Sequence, residues 1–133
     1  MKDCKSAWKK KSENNEKPWG TETAWSSMAT GIHGKILYLK KGERTSLKYF
    51  NLKNETLFMM SGSANIYYGD EASLYDEINH PFCTTSFSPG DTFYVQSECP
   101  YRIAANEDCQ IIEIGTYSQE KPTRISDDYG RAK

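Results

Sequence analysis

Histidine is nearly missing from this chain: its 133 residues include only His33 and His80. A site of several imidazoles in one subunit is therefore excluded, and with it the commonest protein cage for a transition metal. Long apolar runs are also missing, so neither a membrane-spanning helix nor a signal-peptide core is expected. The four cysteines, Cys4, Cys83, Cys99 and Cys109, form no CxxC pair. Neither a zinc ribbon nor a disulfide framework is indicated; each reads as a free thiol in a reducing, cytoplasmic setting. An excess of one charge is absent too, because 17 Lys and Arg face 18 Asp and Glu for a net charge of −1. No electrostatic footprint points to nucleic acid or an anionic membrane, which leaves a small molecule or a protein as partner.

What is present fits a single all-β domain. Residues 1–16 carry Lys2, Lys5, Lys9, Lys10 and Lys11 among Ser, Asn and Glu, and such a segment buries too little apolar surface to order itself. It is expected to be a flexible polar arm, with one domain over 17–133. From Gly34 onward, short runs rich in Ile, Leu, Tyr, Phe and Thr alternate with turn clusters, the pattern of an antiparallel sandwich or barrel. Strands are expected at 35–40, 45–50, 55–61, 64–68, 92–96, 101–105 and 110–116. Turns are expected at Lys41-Gly42-Glu43, Lys53-Asn54, Gly69-Asp70, Ser88-Pro89-Gly90-Asp91 and Asn106-Glu107-Asp108. Residues 71–85 hold a short strand or a loop.

The spacing within these runs is specific. Gly42 is followed by five residues, Lys48, one residue, Phe50, four residues, Glu55, six residues and Gly62. Gly90, Gln96, Glu98, Tyr101 and Ala105 form a second ordered set. Side chains two apart on a strand share a face, so positions 48 and 50 point the same way and Glu55 opens the next strand of that hairpin. The two sets resemble the two cupin motifs, with Lys48, Phe50 and Tyr101 where cupins place histidine ligands and only Glu55 kept. More narrowly, Lys17-Pro18-Trp19-Gly20, Ser46-Leu47, Glu55-Thr56, Ser88-Pro89-Gly90-Asp91, Glu107-Asp108-Cys109 and Asp127-Asp128-Tyr129-Gly130-Arg131 resemble small cupins related to the mannose-6-phosphate isomerase domain of sugar-nucleotide enzymes. The resemblance covers most of the chain after residue 16. It implies a double-stranded β-helix, the cupin jelly-roll barrel, with a ligand pocket in the barrel mouth and a homodimer as the assembly. Trp19 is an anchor on a neighbouring subunit or a cover for its own barrel.

With the histidine ligands replaced, no metal and no cofactor is expected. Lys48, if it points inward, puts an ammonium about where a metal would sit and pairs with Glu55; if it points outward, it snorkels to the rim. Tyr101 is a proton donor or acceptor sharpened by a nearby ammonium, or a core tyrosine. Glu113 interrupts Ile111-Ile112-Glu113-Ile114 and joins the pocket only if its face is the inner one. Phe50, Met59 and Ile103 are expected as apolar lining and Arg102 as a further polar contact, whereas His33 and His80 read as loop or surface residues. Two functions follow: binding of a small polar metabolite, a sugar or sugar phosphate or other acidic metabolite, without metal; or metal-independent sugar or sugar-nucleotide isomerisation or epimerisation, with Glu55 or Glu113 as base, Tyr101 as acid and Lys48 stabilising an enolate. A structural or assembly role without any ligand is the third possibility.

Overall fold

In the computed structural model, which describes residues 4–132, the chain forms eleven strands and two short 3-10 helices. The strands are β1 (Glu13–Lys17), β2 (Gly20–Ala24), β3 (Ile32–Leu39), β4 (Leu47–Tyr49), β5 (Glu55–Ser61), β6 (Ala64–Tyr68), β7 (Cys83–Phe87), β8 (Thr92–Val95), β9 (Tyr101–Ala105), β10 (Cys109–Thr116) and β11 (Thr123–Ser126). They assemble into two antiparallel sheets, a six-stranded one ordered β1-β2-β3-β10-β5-β8 and a five-stranded one ordered β11-β4-β9-β6-β7. The fold is the expected all-β jelly roll. Among the described residues no helix is long and apolar enough to cross a membrane.

Period-2 alternation decides which side chains enter the space between the sheets. On β5, Glu55, Leu57 and Met59 are buried while Thr56, Phe58 and Met60 are exposed. β10 follows the same rule, with Cys109, Ile111 and Glu113 inside and Ile114 outside. Glu113 therefore lies on the inner face. Leu57, Met59, Ile66, Ile103 and Ile111 fill the core at 0–1% exposure, each such burial being worth about 1.5–3 kcal/mol. The glycine after β5 is obligatory: Gly62 has φ +87°, and a Cβ there would lie 2.3 Å from the Asp108 carbonyl oxygen, so no other residue fits the turn.

All seven expected strands form, with ends displaced by a few residues in β3, β4, β8 and β10. Four others join them. β7 occupies the end of the 71–85 segment, where the sparse apolar pattern had left strand and loop open. β1 corrects the expected arm: Glu13–Lys17 pairs along its whole length with β2, because backbone hydrogen bonding to an available sheet edge needs no apolar side chains. Residues 4–12 carry no regular structure, and the first three residues of the arm lie outside the described ones. Trp19 is 6% exposed and packs in its own core, the second of its two expected placements.

Candidate functional site

A cavity of about 260 Å³ opens between the sheets. β3 contributes His33 and Lys35, β4 Lys48, β5 Glu55, β9 Tyr101 and Ile103, and β10 Glu113. Phe50 and Lys53 enter from the β4–β5 connection, and the C-terminal segment closes one side with Glu120, Arg124 and Arg131. Lys48, Phe50, Glu55, Tyr101, Ile103 and Glu113 all line this cavity, Glu113 because its face, open in the sequence, is the inner one.

Met59 and Arg102 do not line the cavity. Met59 is wholly buried in the core. Arg102 follows Tyr101 on β9 and so takes the opposite face; its Nε donates to the Thr45 carbonyl at 3.1 Å and its Nη2 lies 3.7 Å from Asp128.

The expected Lys48–Glu55 pair is also corrected. Glu55 pairs with Lys53, whose Nζ lies 3.3 Å from Glu55 Oε2 and 3.7 Å from Glu113 Oε2. Lys53 had read as a turn residue, yet its side chain is 6% exposed and its ammonium lies 4.5 Å over the Phe50 ring. The signal was present in the spacing: in extended backbone, residue 53 shares a face with residue 55. Half-buried Lys48 instead sets its ammonium 4.8 Å over the Tyr101 ring.

His33 is the second missed residue. It lies on β3, not in a loop, and its Nε2 is 2.7 Å from Glu113 Oε2. The register explains the contact: His33 is opposite Gly115 and Glu113 opposite Lys35, so the two side chains meet diagonally across a position with no side chain of its own. His80 is an exposed loop residue, as expected, 3.4 Å from Asp70.

Burial sets the proton affinities. Burial, reinforced by the charge of Glu113, raises Glu55 to about 6 against the pull of Lys53 and Lys48. Burial also opposes ionisation of Glu113, but the His33 hydrogen bond and Lys53 outweigh it and hold Glu113 below the usual carboxylate range. The two carboxyls are thereby differentiated, with Glu113 the anion and Glu55 the group that takes up a proton. Tyr101 is 1% exposed and donates to Glu55 Oε1 at 2.9 Å. Burial and the neighbouring Glu55 and Glu113 push its phenol well above the ordinary value, so Tyr101 stays protonated and the expected sharpening by an ammonium does not occur. Burial lowers Lys48.

Solved structures with this arrangement of strands include oxalate decarboxylase from Bacillus subtilis, with TM-score 0.68 and 16% identity over 88% of this chain and 32% of that one. The formate complex of oxalate decarboxylase from Lactobacillus farciminis gives 0.70 and 16% over 86% and 34%, and KdgF from Halomonas sp. gives 0.65 and 12% over 80% and 89%. The fold is the cupin fold. The chain spans about a third of the oxalate decarboxylase chains it matches, and at these identities the likeness is one of fold. No protein-family model and no curated protein matches the sequence. Within the cupin fold, the positions that the motif spacing equates with the metal histidines are those of Lys48, Phe50 and Tyr101, and all three line the cavity.

Proposed function

We propose that this cupin binds a small polar metabolite, a sugar or sugar phosphate, in the cavity between its sheets and does so without a metal. The observation that carries the reading is the position of Lys53. His33, Glu55 and Glu113 do offer three donor atoms within 4.8 Å of one another, but Lys53 Nζ lies within 3.7 Å of both carboxylates and Tyr101 already donates to Glu55. A divalent ion among these donors would have to displace the ammonium and leave it buried without a counter-ion, which is costly. The residues therefore do not fit a resident divalent metal. A lysine supplies the positive charge that a cation supplies elsewhere.

The rest of the lining suits a hydroxylated, charged ligand. Six basic side chains, Lys17, Lys35, Lys48, Lys53, Arg124 and Arg131, face four acidic ones, Glu22, Glu55, Glu113 and Glu120. The resemblance to small mannose-6-phosphate-isomerase-like cupins points to the same ligand class. Elemental analysis should find no stoichiometric zinc, manganese or iron, and a thermal-shift screen of sugar phosphates and neutral sugars should find a stabilising ligand; about one metal per chain would overturn the reading. A homodimer is part of the proposal, supported by exposed Phe58, Met60, Tyr94 and Ile114 on the outer face of the six-stranded sheet, and light scattering tests it.

A second reading, metal-independent isomerisation or epimerisation, is favoured by the Glu55–Tyr101 hydrogen bond. A carboxylate with an affinity near 6 suits proton transfer around neutral pH. Glu55 would take a proton from the carbon beside a carbonyl while the Tyr101 hydroxyl gives its proton to the carbonyl oxygen, forming an enediol that collapses with the protons returned. Glu113, already committed to His33 and Lys53, is the weaker base. Deuterium entering a bound sugar from solvent in wild type, and not in Glu55→Gln, is the expected result for this reading; no exchange in wild type overturns it.

A further inference from the structure

Two basic residues of the cavity stand apart from the others. Lys17 and Lys35 reach Glu22 at 3.8 and 2.9 Å, Lys53 reaches Glu55 and Glu113, and Arg131 forms a two-pronged pair with Asp127 at 3.0 and 2.9 Å. Lys48 and Arg124 form no ion pair among the described residues. They are also direct partners in the antiparallel β4–β11 pairing, and both side chains line the cavity. Like charges set opposite each other across two strands repel, and an anion placed between them relieves that repulsion. The Arg124 Nε is buried without a hydrogen-bond partner, although a buried N–H group normally has one. Glu120, which also lines the cavity, is taken up by the backbone N–H groups of Asn51, Leu52 and Lys53, from which it accepts.

We propose that Lys48 and Arg124 form a phosphate subsite, which holds the phosphate of a phosphorylated sugar across the β4–β11 pair. The proposal rests on the reading of the cavity as a metabolite site and narrows it from sugars in general to phosphomonoesters. The chemistry matches in charge and in geometry. A phosphomonoester carries about −1.5 to −2 at neutral pH, enough to neutralise two cations, whereas a carboxylate leaves one unmatched. An arginine fork gives paired hydrogen bonds to phosphate oxygens and a lysine adds a point charge. The ligand's phosphate would then sit at the five-stranded sheet and its sugar would extend toward Tyr101 and Glu55.

Calorimetric titration of the metal-free protein at low salt tests this with four probes: inorganic phosphate, a hexose 6-phosphate, the parent hexose and a hexuronate. The hexose phosphate should bind at least tenfold tighter than the hexose or the hexuronate, and inorganic phosphate should compete with it. Lys48→Gln and Arg124→Gln should each weaken phosphate binding at least tenfold, while Lys40→Gln, at an exposed position outside the cavity, should leave it within twofold. Both cavity variants should melt cooperatively, and added phosphate should raise the melting temperature of wild type but of neither variant; equal stabilisation of wild type and both variants by phosphate overturns the subsite. Equal affinity for hexose and hexose phosphate, or unchanged binding by the variants, overturns the subsite and leaves the sugar-binding reading standing. Hexuronate binding as tightly as the phosphate ester overturns the choice of phosphate. Failure of every probe overturns the subsite and the metabolite reading together.

Discussion

The six-stranded sheet and the five-stranded sheet bring charge into one cavity under opposite conditions. On the six-stranded side, Glu55 and Glu113 each meet a partner: Lys53 lies against both, His33 bonds Glu113, and Tyr101 reaches across from β9 to bond Glu55. On the five-stranded side, Lys48 and Arg124 face each other across β4 and β11 with no ion pair among the described residues. A satisfied buried network fixes its own geometry, whereas an unsatisfied one has binding capacity to spare. In the proposed reading the first side does the work of a bound cation and the second receives an anion.

The sharpest way to break the satisfied side is to remove its shared cation. Lys53→Met should leave two carboxyls buried without their ammonium and cost on the order of 3–5 kcal/mol, measured by urea unfolding; a loss below 1 kcal/mol would mean that Lys53 does not hold the two acids. His33→Ala should cost about 1.5–3 kcal/mol, since it removes a hydrogen bond to a charged, buried Glu113, and it should raise the proton affinity of Glu113. Tyr101→Phe removes one buried hydrogen bond and should cost about 1 kcal/mol. By contrast, Arg44→Ala, which breaks the half-exposed pair with Asp128, should stay within about 1 kcal/mol because solvent screens that pair.

The pH response sharpens the same comparison. Glu55 is raised from 4.5 to about 6 in the folded chain, so the folded state binds its proton more tightly than the unfolded state does. Its contribution to stability is fully present below about pH 4.5 and is lost as pH rises through about 6, a change of roughly 2 kcal/mol at 1.4 kcal/mol per unit. Glu113, held low, works in the opposite sense: it stabilises above the unfolded carboxylate value, and the contribution is lost as pH falls through its own depressed value. Glu55→Gln should therefore flatten the fall in stability between pH 4.5 and 6 while leaving acid unfolding at lower pH in place. An unchanged slope over that window would show that Glu55 is not the carboxyl that takes up the proton.

Legibility from sequence was uneven for a physical reason. β5, β6 and β9 could be bounded to the residue because Glu55–Ser61, Ala64–Tyr68 and Tyr101–Ala105 are short runs rich in apolar and aromatic side chains between clear turns. β1, β2 and β11 carry few apolar residues, since they lie at or near sheet edges where backbone pairing and not burial holds them, so no hydrophobic period announces them. Lys48, Phe50, Glu55 and Tyr101 were reached through motif spacing, which is local arithmetic along two hairpins. His33 and Arg124 were not, because each acquires its role from a partner on another strand, Glu113 for His33 and Lys48 for Arg124; Lys53 reads as a turn residue although it lies two residues before Glu55, its nearer acid. Arg102 was misplaced by one step of alternation, the smallest shift that moves a side chain to the opposite face.

By itself the sequence determined the class of fold, through alternation and turn chemistry, and it removed the multi-histidine metal site, because two histidines in 133 residues cannot form one. The tertiary structure decided everything that depends on strand neighbours: that Glu113 faces inward, that Lys53 and not Lys48 answers the buried carboxyls, and that Lys48 meets Arg124 instead. Charge neutralisation in a cavity is a property of distances between strands far apart in the chain, and those distances exist only once the two sheets have closed on each other.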